Sequence, residues 1–418
     1  MRCDVVPSWG EMWRVFGRIG VLSFGGPAAQ IGVMHRELVE ARPWLSEAAF
    51  LRALSFCMML PGPEAMQLAT YAGWRMRGVW GGVLAGALFV VPGAVVILAL
   101  AACYVAWGDV PAVEAVFQGI KATVVVIVVQ ALIRLLQKAV RGPVDVTIAC
   151  ASFVALFVFD LSYPVLIAVV AGLGVFVGRR TVEPTAAQGG APLGRAVLVL
   201  AVLWAVPLVA LVMSGGVFGD LAAFFSKLAV VSFGGAYAAL SYMTQTVVQE
   251  HGWITTAQMV DALGLAETTP GPLILVTEFI GFLSGHGVGG FWAGVAGAVI
   301  ALWMTFIPCF LWVFAGAPFI DRLGHMPRLS GALSAVTVGI VGVIANLSVW
   351  FALHVLFGQI GSVAVFGGAL PLPVLDSLDA VALGLGVVAA VLMLGLKWSL
   401  LRVMPLIGAL SLGVSMIG

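Results

Sequence analysis

The sequence predicts an all-α polytopic membrane protein made of two inverted-topology repeats, and three observations lead to this fold class. The chain of 418 residues is 62% hydrophobic and 9% charged, with a mean hydropathy of +1.12, whereas soluble domains carry about 25% charged residues. Apolar runs long enough to span a bilayer recur along the chain. Two short motifs occur twice at one fixed spacing. The net charge of +1 gives no reason to expect a nucleic-acid partner.

The repeated motifs are Phe-Gly-Gly and Pro-Gly-Pro. Leu60-Pro61-Gly62-Pro63 returns as Thr269-Pro270-Gly271-Pro272, at an offset of 209 residues (270 − 61 = 209). The same offset carries Ser23-Phe24-Gly25-Gly26 onto Ser232-Phe233-Gly234-Gly235. Landmarks that share one register indicate a duplicated unit.

Each Pro-Gly-Pro predicts a helix that is broken in its middle. Proline lacks the N–H that continues a helical ladder, yet it suits the first position of a new helix. We therefore expect Pro61 and Pro270 to end one half-helix, and Pro63 and Pro272 to start the next. The free N–H groups at such a start carry the positive end of the helix dipole and suit an anion. The alternative is a structural kink or a surface turn, which the second copy disfavours.

The first repeat is expected to hold six segments. In chain order they are a (9–34, broken at Phe-Gly-Gly), b (46–77, broken at Pro-Gly-Pro), c (79–107), d (113–136), e (144–159) and f (163–177). Segment a is too rich in glycine and charge for a simple span. Segment b begins at Ser46, a suitable N-cap residue. Segments c to f are apolar and uncharged enough to cross a bilayer.

A linker and one extra span separate the repeats. Residues 181–194 hold Pro, Gly, Thr and Gln, and an apolar run follows at 196–213. The second repeat continues with a′ (218–243), b′ (255–283), c′ (288–314), d′ (329–353), e′ (380–394) and f′ (399–417), with a glycine-rich loop before e′. The predicted organisation is an N-terminal repeat over 1–180, the linker and connecting helix over 181–214, and a C-terminal inverted repeat over 215–418.

Flanking basic residues predict the orientation. Arg75 and Arg77 place the start of segment c inside, and Glu114 follows its end. Arg328 follows the end of c′ and places that end inside. The two repeats therefore run in opposite directions, with the N-terminus inside and the C-terminus outside. The number of spans depends on whether a and b cross the membrane or dip in and return.

Inverted repeats with broken helices are typical of secondary transporters. The chain has no GxxxxGK[ST] motif for a nucleotide-driven pump, and it has no HExxH or GxSxG. Its five cysteines are scattered, without a CxxC pair. We therefore expect a transporter that is not an enzyme and needs no cofactor or metal.

The four breaks and a matched pair of cations indicate an anion site. Arg18 maps onto Lys227 at the same offset, and a cation at the centre of a membrane helix costs about 2.5–3.5 kcal/mol on insertion scales. The alternative is that both side chains snorkel to the headgroups. The candidate substrate-binding residues are Arg18, Ser23, Gly25, Gly26, Gly62, Glu64, Gln67, Lys227, Ser232, Gly234, Gly235, Thr269 and Gly271.

Two further charges are candidates for energy coupling or for ion pairs. Lys121 lies inside segment d, and the structural alternative is an ion pair with Glu114. Glu267 precedes the second break and is either a coupling carboxylate or a partner for Lys227.

These residues resemble a known family. Phe24-Gly25-Gly26-Pro27, and Leu60-Pro61-Gly62-Pro63-Glu64 with Gln67 following, are similar to the N-terminal half of the chromate transporters, the CHR superfamily. The second Phe-Gly-Gly and Thr-Pro-Gly-Pro resemble its C-terminal half. The likeness covers nearly the whole chain, as in the long, two-domain form. The second half departs from the first in having Ala236 where a proline would match, and Leu273 in place of Glu64.

The resemblance implies export of chromate across the bacterial inner membrane, from cytoplasm to periplasm, and hence chromate resistance. Sulfate is a related tetrahedral dianion. The expected partners are chromate or sulfate, the lipid bilayer and, as a possible assembly, a second copy in a homodimer. Export could be driven by the proton gradient or by exchange. The alternatives are an importer or exchanger of sulfate or oxyanions in general, and an anion channel.

Overall fold

The computed structural model describes residues 6–108, 110–177, 194–320, 326–365 and 368–416. The predicted linker, 181–194, lies outside these residues except for Gly194. The structure confirms the all-α membrane class, because five of the described helices are long and apolar enough to cross a membrane. Four shorter apolar helices accompany them.

The described residues of the first repeat form seven α-helices that follow the predicted segments. They are α1 (Trp9–Leu22), α2 (Gly26–His35), α3 (Glu47–Cys57), α4 (Glu64–Trp107), α5 (Pro111–Ala139), α6 (Pro143–Phe157) and α7 (Tyr163–Val177). Helix α3 starts behind the predicted N-cap, since the Ser46 hydroxyl accepts a hydrogen bond from the Ala49 N–H at 3.3 Å. Both predicted breaks interrupt the helices, one between α1 and α2 and one between α3 and α4.

The connecting helix and the second repeat follow in the same order. They are α8 (Gly194–Ser214), α9 (Gly216–Val231), α10 (Ala236–Met243), α11 (Thr256–Thr268), α12 (Val276–Gly316), α13 (Pro327–Leu356), β1 (Ile360–Val365), β2 (Gly368–Pro373), α14 (Ala380–Ala390) and α15 (Leu400–Ser415). A π-helical turn ends the broken segment of each repeat, Arg36–Glu40 after α2 and Thr244–Glu250 after α10. The duplicated pattern therefore extends to this local feature.

Helices α4 and α12 each join two predicted segments through a kink. The backbone leaves helical geometry at Arg77 and Gly78 in α4, and at Gly289 and Gly290 in α12. Gly78 and Gly290 have φ of 65° and 74°, a conformation that glycine adopts without steric cost. The two sides of each kink pack against each other, since a Cβ on Gly73 would lie 2.2 Å from the Gly81 carbonyl oxygen and one on Gly281 would lie 2.4 Å from the Gly297 carbonyl oxygen. The second half of segment b and segment c are therefore two helices that fold back on each other, as are those of b′ and c′.

The glycine-rich stretch before segment e′ is an antiparallel hairpin, so the prediction of a loop there was wrong. Strand β1 pairs with β2 in the register that places Ile360 opposite Pro373 and Val365 opposite Gly368. β-Branched residues such as Val363 favour extended backbone. The high glycine content concealed this pattern.

The chain divides into two compact units, and each unit draws on both repeats. Unit 1 comprises the described residues of Met1–Ala102, Arg179–Ala236 and Thr269–Ser330. In it, α9 and α8 pack on α12 and on each other. Unit 2 comprises those of Cys103–Gly178, Tyr237–Thr268 and Gly331–Gly418. In it, α5 packs against α11, α14 and α15.

Candidate functional site

The four helix breaks meet inside unit 1 through two reciprocal backbone hydrogen bonds. The Gly271 N–H donates to the Ser23 carbonyl at 2.9 Å, and the Gly62 N–H donates to the Ser232 carbonyl at 2.9 Å. Each bond joins the Pro-Gly-Pro of one repeat to the Phe-Gly-Gly of the other. Neither Pro-Gly-Pro N–H finds its acceptor in its own repeat.

The packing around these bonds follows the same two-fold pattern. The residue after the proline inside α4, Gly93, lies so close to the second break that a Cβ there would sit 2.2 Å from the Pro270 carbonyl oxygen. The residue after the proline inside α12, Cys309, lies against the first break. A Cβ on Gly62 would be 2.7 Å from its Sγ. Each long helix therefore holds the Pro-Gly-Pro of the other repeat.

The break glycines adopt backbone conformations that residues with a Cβ rarely reach. The six of them have φ between 79° and 111°: Gly25, Gly26, Gly62, Gly234, Gly235 and Gly271. This left-handed backbone is sterically costly for other residue types. After the prolines Pro63 and Pro272, helical structure resumes at Glu64 and Leu273, as the predicted breaks require.

The candidate donors for a ligand are the N–H groups of the first helical turns after the breaks. The N–H groups of Gly62 and Gly271 are already engaged with carbonyl oxygens. The first N–H groups of any helix lack an acceptor within that helix. At the breaks of unit 1, such turns begin at Gly26 and Glu64.

Two buried glutamines hold the carbonyls of the Pro-Gly-Pro breaks. The Gln67 Nε2 donates to the Pro61 carbonyl at 2.7 Å, and the Gln30 Nε2 donates to the Gly271 carbonyl at 2.7 Å. The Gln67 Oε1 is buried without a hydrogen-bond partner among the described residues. Sequence reasoning missed Gln30. The one signal for it was an amide in an apolar helix just after Gly25-Gly26.

Four more predicted residues lie at the breaks. The hydroxyl of the fully buried Ser23 donates to the Ile19 carbonyl at 2.6 Å. Thr269 and Ser232 are also buried. Glu64 lies near the second Phe-Gly-Gly, because a Cβ on Gly235 would be 3.9 Å from its Oε1.

A buried carboxylate near the second break escaped the set of predicted site residues. Glu278 lies in the first turn of α12 and is 2% exposed. Its Oε2 has no hydrogen-bond partner among the residues that the structure describes.

The two predicted cations occupy different surroundings. The Arg18 side chain is 60% exposed, and its Nε lies 3.6 Å from the Glu37 Oε1. The other oxygen of Glu37 contacts Arg42 Nη1 at 2.5 Å. Lys227 lines an apolar groove between α8 and α9, beside Trp204.

The two predicted coupling residues lie in unit 2, each with a partner. The Lys121 Nζ pairs with the Asp261 Oδ2 at 3.4 Å. Glu267 is 3% exposed and accepts a hydrogen bond from the Tyr237 hydroxyl at 2.5 Å. Sequence reasoning missed Asp261. The one signal for it was an acidic residue in the apolar half-helix before the second break.

Comparison with known protein families identifies one family over most of the chain. A family model described as "Chromate transporter" covers residues 10–178 and 219–414, which leaves out the predicted linker and all of α8. The chain belongs to the chromate transporter family. The predicted resemblance is thereby confirmed. No solved structure matches the chain.

Chromate transporter relatives are similar over most of their length. A "Probable chromate transport protein" of Synechococcus elongatus is 31% identical over 89% of this chain and 94% of its own. A "Chromate transport protein" of Cupriavidus metallidurans is 32% identical over 80% of both chains. One from Pseudomonas aeruginosa is 30% identical over 82% of this chain and 80% of its own. Family membership and these relatives, all named as transport proteins, identify the chain as a transporter.

Proposed function

We propose that this chain is a secondary transporter that exports chromate from the bacterial cytoplasm and thereby confers chromate resistance. Family membership and the names of three relatives support chromate as the cargo. The observation that carries the proposal is the reciprocal pairing of the broken helices in unit 1. Broken helices at a repeat interface are the usual substrate site of secondary transporters.

The dianion is held by uncharged donors. A desolvated anion must exchange water for hydrogen-bond donors, and a helix N-terminus offers several together with about half a positive charge. The first turns at Gly26 and Glu64 supply these groups. Gln30 and Gln67 fix the backbone around them. The Glu64 carboxylate would repel a dianion unless it is protonated or paired, which makes it a candidate for regulating access.

The reciprocal bonds suit alternating access. Each bond joins one repeat to the other, so the bonds mark the repeat interface, which is where secondary transporters that work by alternating access hold their substrate. We place the protein in the inner membrane with its N-terminus cytoplasmic and its C-terminus periplasmic, on the distribution of basic residues.

The decisive experiment measures uptake of labelled chromate into inverted membrane vesicles, with and without a proton gradient and with excess sulfate. Gradient-dependent accumulation that sulfate blocks weakly is the expected result. Accumulation abolished by sulfate would instead establish a general oxyanion carrier. Flux that runs only down the chromate gradient and cannot be saturated would identify a channel. No uptake in vesicles that contain the protein would contradict chromate as cargo.

Arg18 and Lys227 are proposed to attract the dianion towards the breaks. We expect Arg18→Gln to weaken chromate uptake far more than Arg18→Lys, because the positive charge does the work. The half-saturation concentration of uptake, measured in the same vesicles, checks this. Equal and normal values in both variants would show that Arg18 only snorkels and pairs with Glu37.

A further inference from the structure

Unit 2 contains a polar cavity that the proposed anion site does not use. Its volume is about 770 Å³, and it opens where α5 and α11 begin and α13 ends. The ionisable residues along its wall are Glu114, Lys121, His354 and Asp379. The two acids, Glu114 and Asp379, outnumber the one permanent cation, Lys121. The cavity wall is therefore negative on balance, which attracts a proton and repels a dianion.

A buried ion pair lies behind this wall. Asp261 is 2% exposed. Its Oδ2 forms an ion pair with the Lys121 Nζ at 3.4 Å and accepts a hydrogen bond from the Tyr104 hydroxyl at 2.9 Å. The Oδ1 is buried without a hydrogen-bond partner among the described residues. The Lys121 side chain is 23% exposed and lines the cavity. Lysine therefore connects the carboxylate to solution.

The chemistry of this group favours a proton over a metal cation. The ammonium of Lys121 would repel Na⁺ or K⁺ at the free oxygen, whereas a proton bonds covalently to it. A buried carboxylate that loses its partner is strongly destabilised, and it binds a proton instead. The unpartnered Oδ1 is the oxygen available to accept that proton.

Few other charges act on Asp261. Helix α5 presents Glu114 as well as Lys121, and Glu114 opposes the negative form of Asp261. The charged residues on the other elements packed against α11 are Glu250 of the π-helical turn and Arg402 of α15, and both are exposed. The protonation state of Asp261 is therefore controlled mainly by Lys121, Tyr104 and Glu114.

We propose that Asp261, paired with Lys121 and Tyr104, is the proton-binding residue that couples transport to the proton gradient. This inference rests on the proposed function. A proton from solution passes through the cavity to the Asp261 Oδ1, and the Lys121 ammonium is left without a negative partner. Helix α11 leads directly into the second Pro-Gly-Pro, so the change of charge arises on the segment that bears a break. The predicted orientation opens the cavity to the periplasm, which gives proton entry in exchange for the exported dianion.

Asp261 is preferred to Glu267 on the same helix. Glu267 is covered by the hydroxyl of Tyr237, and it lines neither this cavity nor the second polar cavity of unit 2. Neither acid is itself in a described cavity wall, but Lys121, the partner of Asp261, lines this cavity, whereas Tyr237, the partner of Glu267, lines neither polar cavity.

The test compares two modes of transport in proteoliposomes that contain the purified full chain. Chromate-for-chromate exchange needs no proton movement, whereas accumulation against a chromate gradient needs coupling. We expect Asp261→Asn to keep exchange at the wild-type rate and to lose accumulation down to the level of protein-free liposomes. Glu250→Gln, an exposed acid of unit 2, should keep both. The double variant Lys121→Gln with Asp261→Asn removes both charges. It therefore distinguishes a loss of proton coupling from misfolding of the protein around a Lys121 charge that has lost its partner.

Normal gradient-driven accumulation by Asp261→Asn overturns the proposal. A second readout does not depend on chromate as cargo. Infrared difference spectra between about pH 5 and about pH 8 should show the carbonyl band of a protonated carboxylic acid in the wild type and in Glu250→Gln, but not in Asp261→Asn. If vesicles move no chromate yet this band is present, the proton site stands and the cargo is wrong. If the band is the same in all three proteins, Asp261 does not bind the proton.

Discussion

At the scale of single residues, the breaks depend on the absence of side chains at a few contacts between segments far apart in the chain. Gly93 shows this most directly, because the atom nearest to a Cβ at this position is a backbone oxygen of the second break. A backbone atom cannot turn away as a flexible side chain can. Glycine is needed here for space, whereas Gly62 and Gly271 also need their positive φ.

We expect Gly93→Ala to destabilise the protein by about 1–3 kcal/mol, the usual cost of overpacking a dense interior. The methyl group would push the Pro270 carbonyl away and strain the bond between Gly271 and Ser23. Thermal unfolding in detergent measures the change. Gly10→Ala is the matched control, since a Cβ on Gly10 meets nothing within 4 Å. Equal unfolding temperatures for the two variants would contradict this packing.

Stability should also depend on pH through His35, the last residue of α2. Its Nε2 lies 2.7 Å from Glu47 and its Nδ1 lies 3.1 Å from Glu40. The hydrogen bond to Glu47 is the largest cause that raises the pKa of His35, followed among the raising causes by the charge of Glu47. A raised pKa stabilises the fold below the ordinary value of about 6.5. This stabilisation is lost as the pH rises through the folded-state pKa.

The measurement for His35 is the unfolding temperature across this pH range. The wild type should lose stability with rising pH more steeply than His35→Gln does. Parallel curves for the wild type and His35→Gln would show that the pair with Glu47 contributes nothing.

At the scale of elements, the breaks were predictable and their partners were not. Proline and glycine act on their own backbone, so Pro61 and Pro270 revealed both interruptions without any tertiary information. The contact between Gln30 and Gly271 spans 241 residues of sequence, and no local pattern specifies such a pairing. The ion pair of Lys121 with Asp261 was missed for the same reason. The nearer Glu114 on the same helix was the partner that local spacing favoured.

We expect Pro61→Ala and Pro270→Ala to lose transport while the protein remains in the membrane. Alanine restores the N–H and the helical preference that proline removes, so the two half-helices tend to join and the first-turn donors disappear. Chromate uptake in inverted vesicles, normalised to protein, is the measurement. Pro207→Ala is the control, since it also removes a proline from inside a helix, α8, but far in sequence from every break. Full activity in both break variants would rule out the half-helix site.

At the scale of the whole molecule, the sequence repeats and the compact units divide the chain differently. Each unit takes segments from both halves of the sequence. Segment order and register follow from the duplicated motifs, whereas the grouping into units is decided by packing between distant helices. The hairpin of β1 and β2 has no counterpart between α5 and α6, so the repeats are not identical even in their elements.

The two halves should function when they are made as separate chains. We expect co-expressed fragments, divided within the predicted linker, to restore chromate uptake, and either fragment alone to be degraded. A fragment alone leaves the buried N–H of its Pro-Gly-Pro and the carbonyl of its Phe-Gly-Gly without partners, at about 1–3 kcal/mol for each group. Affinity capture of one tagged fragment should recover the other. A stable and active single fragment would contradict this expectation.

The exchanged hydrogen bonds between Gly62 and Ser232 and between Gly271 and Ser23 also have a genetic consequence. A substitution that displaces the Pro-Gly-Pro of one half first removes the hydrogen bond to the serine before the Phe-Gly-Gly of the other half. Second-site suppressors of such a defect should therefore arise about two hundred residues away, across the internal duplication, and seldom beside the original change. Neither copy of these motifs can change without affecting the other, because each provides hydrogen-bonding partners for its counterpart.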